Sequence, residues 1–359
     1  MNMLIRKIIE TFDRCKDSSH ISSVEKNSVV HEKCLLKDIL VYKYENVFPR
    51  LSSVKFGVEI EFQATAKDIS GEDILKEFEK GGVLFEREVI IGRECKRCYH
   101  NWQLMKETSC EWEIISPVMQ DNKEDWEVLE RVCKVLQRLD FYTDDNCAIH
   151  IHVDKKSVLK YGWQYINLME IYKFLEPLTY GISSGDRKQV SIERIRRYAV
   201  TMTYADKKLW GLGMSRNEIR EELKNNFHDG NYNFYKTRLV GLNFMTGKTD
   251  YQTFEFRTFN GTLKPEIIQF YLRYVFNLLF ISVIEENLEI PKMEFGFEDG
   301  NKYTYNKKYI DKCIQILNPE NYLKQCIFVI LDYIQYDISP ILFKALNGIY
   351  SVNDEKNFV

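Results

Sequence analysis

Phe56-Gly57-Val58-Glu59-Ile60-Glu61-Phe62 decides how this chain is read. Apolar side chains at 56, 58, 60 and 62 alternate with Gly57, Glu59, Glu61 and Gln63. A period of two means a β-strand with one greasy face and one acidic face. Three further segments repeat the device. Glu111 and Glu113 oppose Trp112 and Ile114, ahead of Ser116-Pro117. His150 and His152 oppose Ile149, Ile151 and Val153, and Glu255 and Arg257 oppose Phe254 and Phe256. Residues i and i+2 of a strand share a face. The four apolar faces therefore make a core against helices, and the four polar faces assemble one acidic surface with two histidines and an arginine.

Outward from these strands, helical patterns are expected over Glu72–Lys80 (capped by Ser70 and closed by Gly81-Gly82), Lys123–Leu139, Trp163–Leu178, Arg216–Phe227 and Pro265–Glu286. Lys307–Leu346 reads as further helix, broken at Asn318-Pro319. Strands are also expected over Leu35–Tyr44, Phe234–Phe244 and Tyr251–Phe259, with short strands and turns over Val83–Cys110. Strands and helices mix without strict βαβ alternation, which argues an α+β fold with a mainly antiparallel sheet packed by helices. Three regions are expected: an N-terminal extension (1–50), a central catalytic-type domain (51–290) and a C-terminal helical region (291–359).

The chain has 359 residues, 50 Lys plus Arg against 53 Asp plus Glu, and a net charge of -3. That balance excludes a simple polybasic nucleic-acid binder. No run reaches the roughly 18 uninterrupted apolar residues of a membrane span, and Met1–Glu10 lacks the long apolar core of a secretory signal. Nine scattered cysteines favour reduced thiols and a cytoplasmic setting. Cys95-Lys-Arg-Cys98 has no second Cys-x-x-Cys to complete a zinc knuckle and reads as free thiols in a loop. Cys15, His20, His31 and Cys34 match no standard zinc spacing.

Each polar pair has an ordinary explanation. Glu-x-Glu is most often the solvated side of a half-buried strand, and Glu-x-Arg a surface ion pair. The convergence of all four argues otherwise. Neighbouring carboxylates repel unless cations lie between them. Several carboxylates with imidazole make an oxygen-rich site suited to Mg²⁺ or Mn²⁺, and an arginine beside it grips phosphate or carboxylate at two oxygens.

At these residues the chain resembles the amidoligase family of the carboxylate–amine ligase superfamily, which includes glutamine synthetase. The resemblance rests on Phe56-Gly-Val-Glu-Ile-Glu61, Glu113-Ile-Ile-Ser-Pro117, His150-Ile-His152 and Phe254-Glu-Phe-Arg257 with Gly261-Thr262, in that order, and spans about residues 54–285. It implies a glutamine-synthetase-like catalytic sheet that cradles ATP and divalent metal, and the joining of a carboxylate to an amine through an acyl phosphate. Carried over residue by residue, Glu59, Glu61, Glu113, Glu255 and His152 correspond to metal ligands. His150, His152 and Arg257 correspond to nucleotide-binding positions, with Arg187 a weaker match against Arg194 and Arg197. Arg257, Glu113 and Arg238, which precedes Leu242-Asn243, correspond to catalytic positions. Relatives often carry Asp-x-Ser before the Glu-x-x-Ser-Pro strand. Here Glu107-Thr108-Ser109 stands instead, so Glu107 is expected to substitute.

The substrates implied are a carboxylate and an amine, the acceptor class extending to peptide or protein, with no nucleic-acid or membrane partner. Nothing resembles a Walker A loop or a Rossmann fingerprint. Residues 183–198 or 228–233 are candidate lids. Two alternatives compete: a metal-dependent hydrolase built on His-x-His, and a non-catalytic binding protein that has kept the scaffold.

Overall fold

The alternating segments form adjacent strands of one sheet. This computed structural model describes residues 39–65, 69–86, 89–91, 100–185, 199, 240–244, 253–286, 288–290 and 307–333. Their strands are β1 (Phe56–Phe62), β2 (Ile90–Ile91), β3 (Gln103–Lys106), β4 (Trp112–Ile115), β5 (Ala148–Asp154), β6 (Leu242–Asn243) and β7 (Thr253–Asn260). Their order across the sheet is β2-β3-β4-β1-β5-β7-β6. Only β2 and β3 run parallel; every other neighbouring pair is antiparallel. The α+β class and mainly antiparallel sheet thus follow the expectation, and the four chemistry-bearing strands β4, β1, β5 and β7 lie side by side.

The helices are α1 (Gly71–Lys80), α2 (Lys123–Arg138), α3 (Lys155–Val158), α4 (Gly162–Ile182), α5 (Pro265–Ile284), α6 (Lys307–Leu317) and α7 (Asn321–Tyr333). Local chemistry sets their starts. Ser70 Oγ accepts the Asp73 N–H at 3.2 Å, and Asn122 Oδ1 accepts the Asp125 N–H at 3.0 Å. Pro265 opens α5, where its missing N–H costs nothing.

One face of the sheet packs on α2, α4 and α5. Phe56 lies 5.6 Å from Trp126 of α2, Phe254 meets Tyr165 of α4 edge-on at 5.5 Å, and Phe259 stacks on Tyr271 of α5 at 4.4 Å. Each such aromatic buries enough surface to contribute on the order of 2–3 kcal/mol. Helix α5 is long and apolar enough by composition to cross a membrane, yet most of it is buried inside the protein. Its apolarity is that of a core helix, touched on one side by the sheet and on another by α4, α6 and α7. Tyr274 OH lies 2.7 Å from Thr179 Oγ1 of α4, and Asn277 Nδ2 donates to the Leu317 carbonyl at 2.6 Å.

Some expectations need correction. Of the strand expected over Leu35–Tyr44, the described part contains no strand: Ile39 is helical and 40–44 are irregular. Side chains satisfy its backbone instead: Lys43 N–H donates to Gln269 Oε1 at 2.9 Å, and Gln269 Nε2 donates back to the Lys43 carbonyl at 2.7 Å. The strand expected over Phe234–Phe244 is reduced, among described residues, to Leu242–Asn243. The helix expected over Arg216–Phe227 lies outside the described residues, as do the part of the C-terminal helical stretch beyond 333, both candidate lids beyond 185, and Cys95 and Cys98.

Candidate metal centre

The polar faces of β4, β1, β5 and β7 converge as the alternation predicts, but they are not solvated. Glu59 is 5 % exposed and Glu113 3 %, and Glu61, His150 and Glu255 are buried with them. The surface-pair explanation of these strands is therefore overturned, since buried carboxylates must be paired, protonated or bound to cations.

Strand register explains the convergence. Glu61 sits opposite Glu113, Glu59 opposite His150, and His152 opposite Glu255. His150 Nδ1 lies 3.0 Å from Glu59 Oε2, 3.7 Å from Glu255 Oε1 and 4.0 Å from Glu113 Oε1, and its Nε2 is 3.9 Å from Glu61 Oε1. His152 Nε2 lies 3.3 Å from Glu59 Oε1 and 3.9 Å from Glu255 Oε1, while its Nδ1 is 3.0 Å from Thr253 Oγ1. Two triads result, Glu59–Glu113–His150 and Glu59–His152–Glu255, each with ligand atoms within 4.8 Å of one another. Both use Glu59. Carboxylate oxygens shared between two close positions, with one imidazole each, suit a pair of divalent cations.

Arg257 closes the β7 side. Its guanidinium donates to Glu255 Oε1, and its side chain is 14 % exposed. Burial pushes the Glu255 carboxyl up, but Arg257, then His152 and His150, outweigh it and hold it below the usual carboxylate range. Burial works against the Arg257 cation too, and Glu255, Glu59 and Glu61 more than offset it.

The placement of Arg257 depends on an irregularity. Ile149 pairs with Phe259 and Ile151 with Phe256, so His150 alone faces both Arg257 and Thr258 across a β-bulge. The displaced Arg257 N–H finds the Gly241 carbonyl at 2.8 Å. A Cβ at Gly241 would collide with the Tyr172 hydroxyl and sit 2.9 Å from that of Tyr180, so any larger residue would have to displace these buried rings.

Other motif residues hold the sheet rather than the cluster. Ser116 Oγ accepts the Val58 N–H at 2.8 Å and donates to the Pro117 carbonyl at 2.8 Å, extending the β1–β4 pairing up to the proline. A Cβ at Gly57 would come within 3.3 Å of that hydroxyl. Glu111, expected beside Glu113, instead accepts the Ala64 N–H at 3.1 Å. Glu107, expected to replace an aspartate, accepts the adjacent Thr108 N–H at 3.0 Å in the β3–β4 turn. Arg187, Arg194, Arg197 and Arg238 lie outside the described residues.

Sequence reading missed two residues. Asn243 Nδ2 donates to Glu255 Oε2 at 2.7 Å, fixing the second carboxylate oxygen. Its only signal was the Leu242-Asn243 pair, too short for any period. Lys155, directly after β5, is 3 % exposed, donates to the Phe244 carbonyl at 2.6 Å and lies 5.7 Å over the Phe254 ring. Burial pushes its ammonium down to about 8.

That depression has a measurable sign. Between pH 8 and the ordinary lysine value near 10.4, the unfolded chain holds a proton that the folded chain has lost, so this lysine makes stability rise with pH. Buried thiols such as Cys313 and Cys326, both pushed up to about 12, act in the opposite sense. The difference between wild type and Lys155→Met cancels them. Urea titrations should show wild type gaining up to about 3 kcal/mol relative to the variant between pH 8 and 10.5. A difference flat with pH would mean the ammonium is not desolvated.

A sequence-family profile described as "Putative amidoligase enzyme" matches residues 67–279, more than half of the chain. The match covers β4, β5 and β7 but begins after β1, so Glu59 and Glu61 join the matched motifs through the sheet. No curated protein matches the chain at a significant level. With the family motifs in order and their polar faces gathered on one antiparallel sheet, the chain belongs to the amidoligase family.

Proposed function

We propose that this protein is a metal-dependent ligase that uses ATP to join a carboxylate to an amine, on a glutamine-synthetase-like sheet. The observation that carries the reading is the pair of His/Glu triads sharing Glu59, with Arg257 beside them, in a member of the amidoligase family. Glu59, Glu61, Glu113, Glu255, His150 and His152 would hold Mg²⁺ or Mn²⁺. Bound there, the cations supply positive charge where a triphosphate and a carboxylate must meet.

The chain's own groups do the rest. Arg257 presents a planar fork to the transferring phosphoryl group, held in aim by Glu255. The carboxylate oxygen attacks the γ-phosphorus and ADP leaves. The amine then attacks the acyl phosphate carbon, phosphate leaves, and the ammonium proton passes to a base. The buried setting of the carboxylates supports exclusion of water, which would otherwise hydrolyse the intermediate. Arg238 and Arg187 remain proposed contacts for phosphate or substrate carboxylate. Family membership supports small carboxylate and amine substrates.

A second reading, metal-dependent hydrolysis, is favoured by one specific observation: the His-x-His strand gives one imidazole to each triad. The two separate in one assay. With ATP, Mg²⁺ or Mn²⁺ and pooled carboxylates and amines, ADP and amide should appear in equal amounts, and chelator should stop both. Amide cleavage that proceeds with metal and without ATP would overturn the ligase reading in favour of the hydrolase. No turnover of either kind would leave a binding protein on the same scaffold.

A further inference from the structure

Strand β6 has two residues, and it carries the side chain that orients Glu255. Among the described residues, two backbone registers join it to β7, Leu242 opposite Phe256 and Asn243 opposite Glu255, and the Arg257 N–H meets the Gly241 carbonyl just before them. So short a strand contributes few ladder hydrogen bonds among the described residues. Immediately beyond it, the Phe244 carbonyl accepts the Lys155 ammonium at 2.6 Å. Lys155 follows the last residue of β5, and β7 lies between β5 and β6. The lysine therefore reaches across an intervening strand, passing over the Phe254 ring, to brace the end of β6.

The brace is expensive. Among the described residues no carboxylate lies within ion-pair distance of the ammonium, and the side chain is buried. A methionine there would fill similar space without a charge to desolvate. Natural chains keep destabilising groups where activity needs them. The connection from this lysine to the cation cluster is continuous: Lys155 to the Phe244 carbonyl, one residue back to Asn243, and from Asn243 Nδ2 to Glu255 Oε2 at 2.7 Å. Glu255 Oε1 is then left facing Arg257, His150 and His152.

We propose that Lys155 is a positioning residue for the cation centre: it clamps the end of β6 so that Asn243 holds the Glu255 carboxylate toward the Glu59–His152–Glu255 triad. This rests on the metal-centre part of the reading above and not on the ligase chemistry. Partners that orient a metal ligand typically contribute ten- to a hundredfold in affinity.

The test is Mn²⁺ titration of the full-length protein, followed by electron paramagnetic resonance, alongside thermal melts of the metal-free protein. Lys155→Met should melt at or above the wild-type temperature and yet bind one class of Mn²⁺ about tenfold more weakly. The site containing Glu113 and His150 should keep its affinity. Asn243→Ala should weaken the same class, and the double variant should be little worse than the weaker single, because both act through Glu255. Lys155→Gln, whose amide still donates, should recover part of the loss. A purely structural lysine predicts altered melting with unchanged Mn²⁺ affinity, and that result would overturn the proposal. So would failure of Lys155→Met to fold, since the brace would then belong to the fold. If wild type binds Mn²⁺ and Lys155→Met binds it equally, the brace alone fails; if wild type binds none, the metal-centre reading and the brace fail together.

Discussion

Replacing Glu59 by Gln should remove both cations at once. Glu59 Oε2 is 3.0 Å from His150 Nδ1 and Oε1 is 3.3 Å from His152 Nε2, so one carboxylate serves each triad with one oxygen. Glutamine fills the same volume but brings no charge, and one of its two terminal atoms is a donor that turns away cations. The core lies on the other face of the sheet, so the variant, once folded, should stay folded without metal. Wild type at a hundred times its dissociation constant should gain about 2.7 kcal/mol from bound cation; the variant should gain almost none. Turnover should fall at least about a hundredfold, the usual loss for one preorganised electrostatic contact. Equal Mn²⁺-induced shifts in melting temperature for wild type and Glu59→Gln would remove Glu59 from the centre. The corresponding Glu61→Gln should do less, because Glu61 belongs to neither triad.

The second large effect concerns Arg257, and two substitutions divide its roles. Arg257→Lys keeps the charge and loses the fork that grips two oxygens, so turnover should drop roughly a hundredfold with a smaller change in ATP binding. Arg257→Met removes a buried cation from beside Glu255, and breaking a buried ion pair by removing one partner typically costs about 3–5 kcal/mol. The Glu255 carboxyl, having lost the largest of the charges that oppose its burial, should titrate upward. In wild type its depressed value contributes stability that is present above the ordinary carboxylate value and lost as the pH falls through the folded one. The methionine variant should therefore unfold at higher pH on acidification. Added Mn²⁺ should restore part of the loss, since a cation can stand where the guanidinium stood. Denaturant melts in chelator showing a loss below about 1 kcal/mol would mark the Glu255–Arg257 contact as an ordinary surface pair.

The site was legible where side chains alternate. Period two is a property of the strand itself, so Glu59, Glu61, Glu113, His150, His152, Glu255 and Arg257 could be assigned to a face before any fold was known. What alternation cannot reveal is depth. The same pattern describes a wet face and a buried one, and the burial of Glu59 and Glu113 follows from the assembled protein rather than from either strand. Nor can it reveal a bulge. Phe254 to Arg257 alternates cleanly, and the two-against-one pairing with His150 appears only when β5 and β7 meet in register. Asn243 sits in a strand of two residues, and Lys155 at the head of a four-residue helix. Neither length supports a periodic signal. Residues 39–44 have strand-like composition, but long side chains from α5 and α7, Gln269 and Tyr322, meet their backbone first.

Sheet order also sets a sequence of events during synthesis. β1, β4 and β5 are neighbours in space and are all made by Asp154, so a nascent chain of that length already contains Glu59, Glu113 and His150. Glu255 and Arg257 emerge only after α4 and β6. Until then the first three groups lack the guanidinium that later balances their charge. A divalent ion captured early would tie three strands together well before the last central strand exists, and binding free energy of that kind is folding free energy. Cation supply would then govern how much of the newly made chain reaches the folded state, as well as how fast the finished protein works. Producing the protein in metal-depleted medium should lower its soluble yield, whichever substrates it acts on.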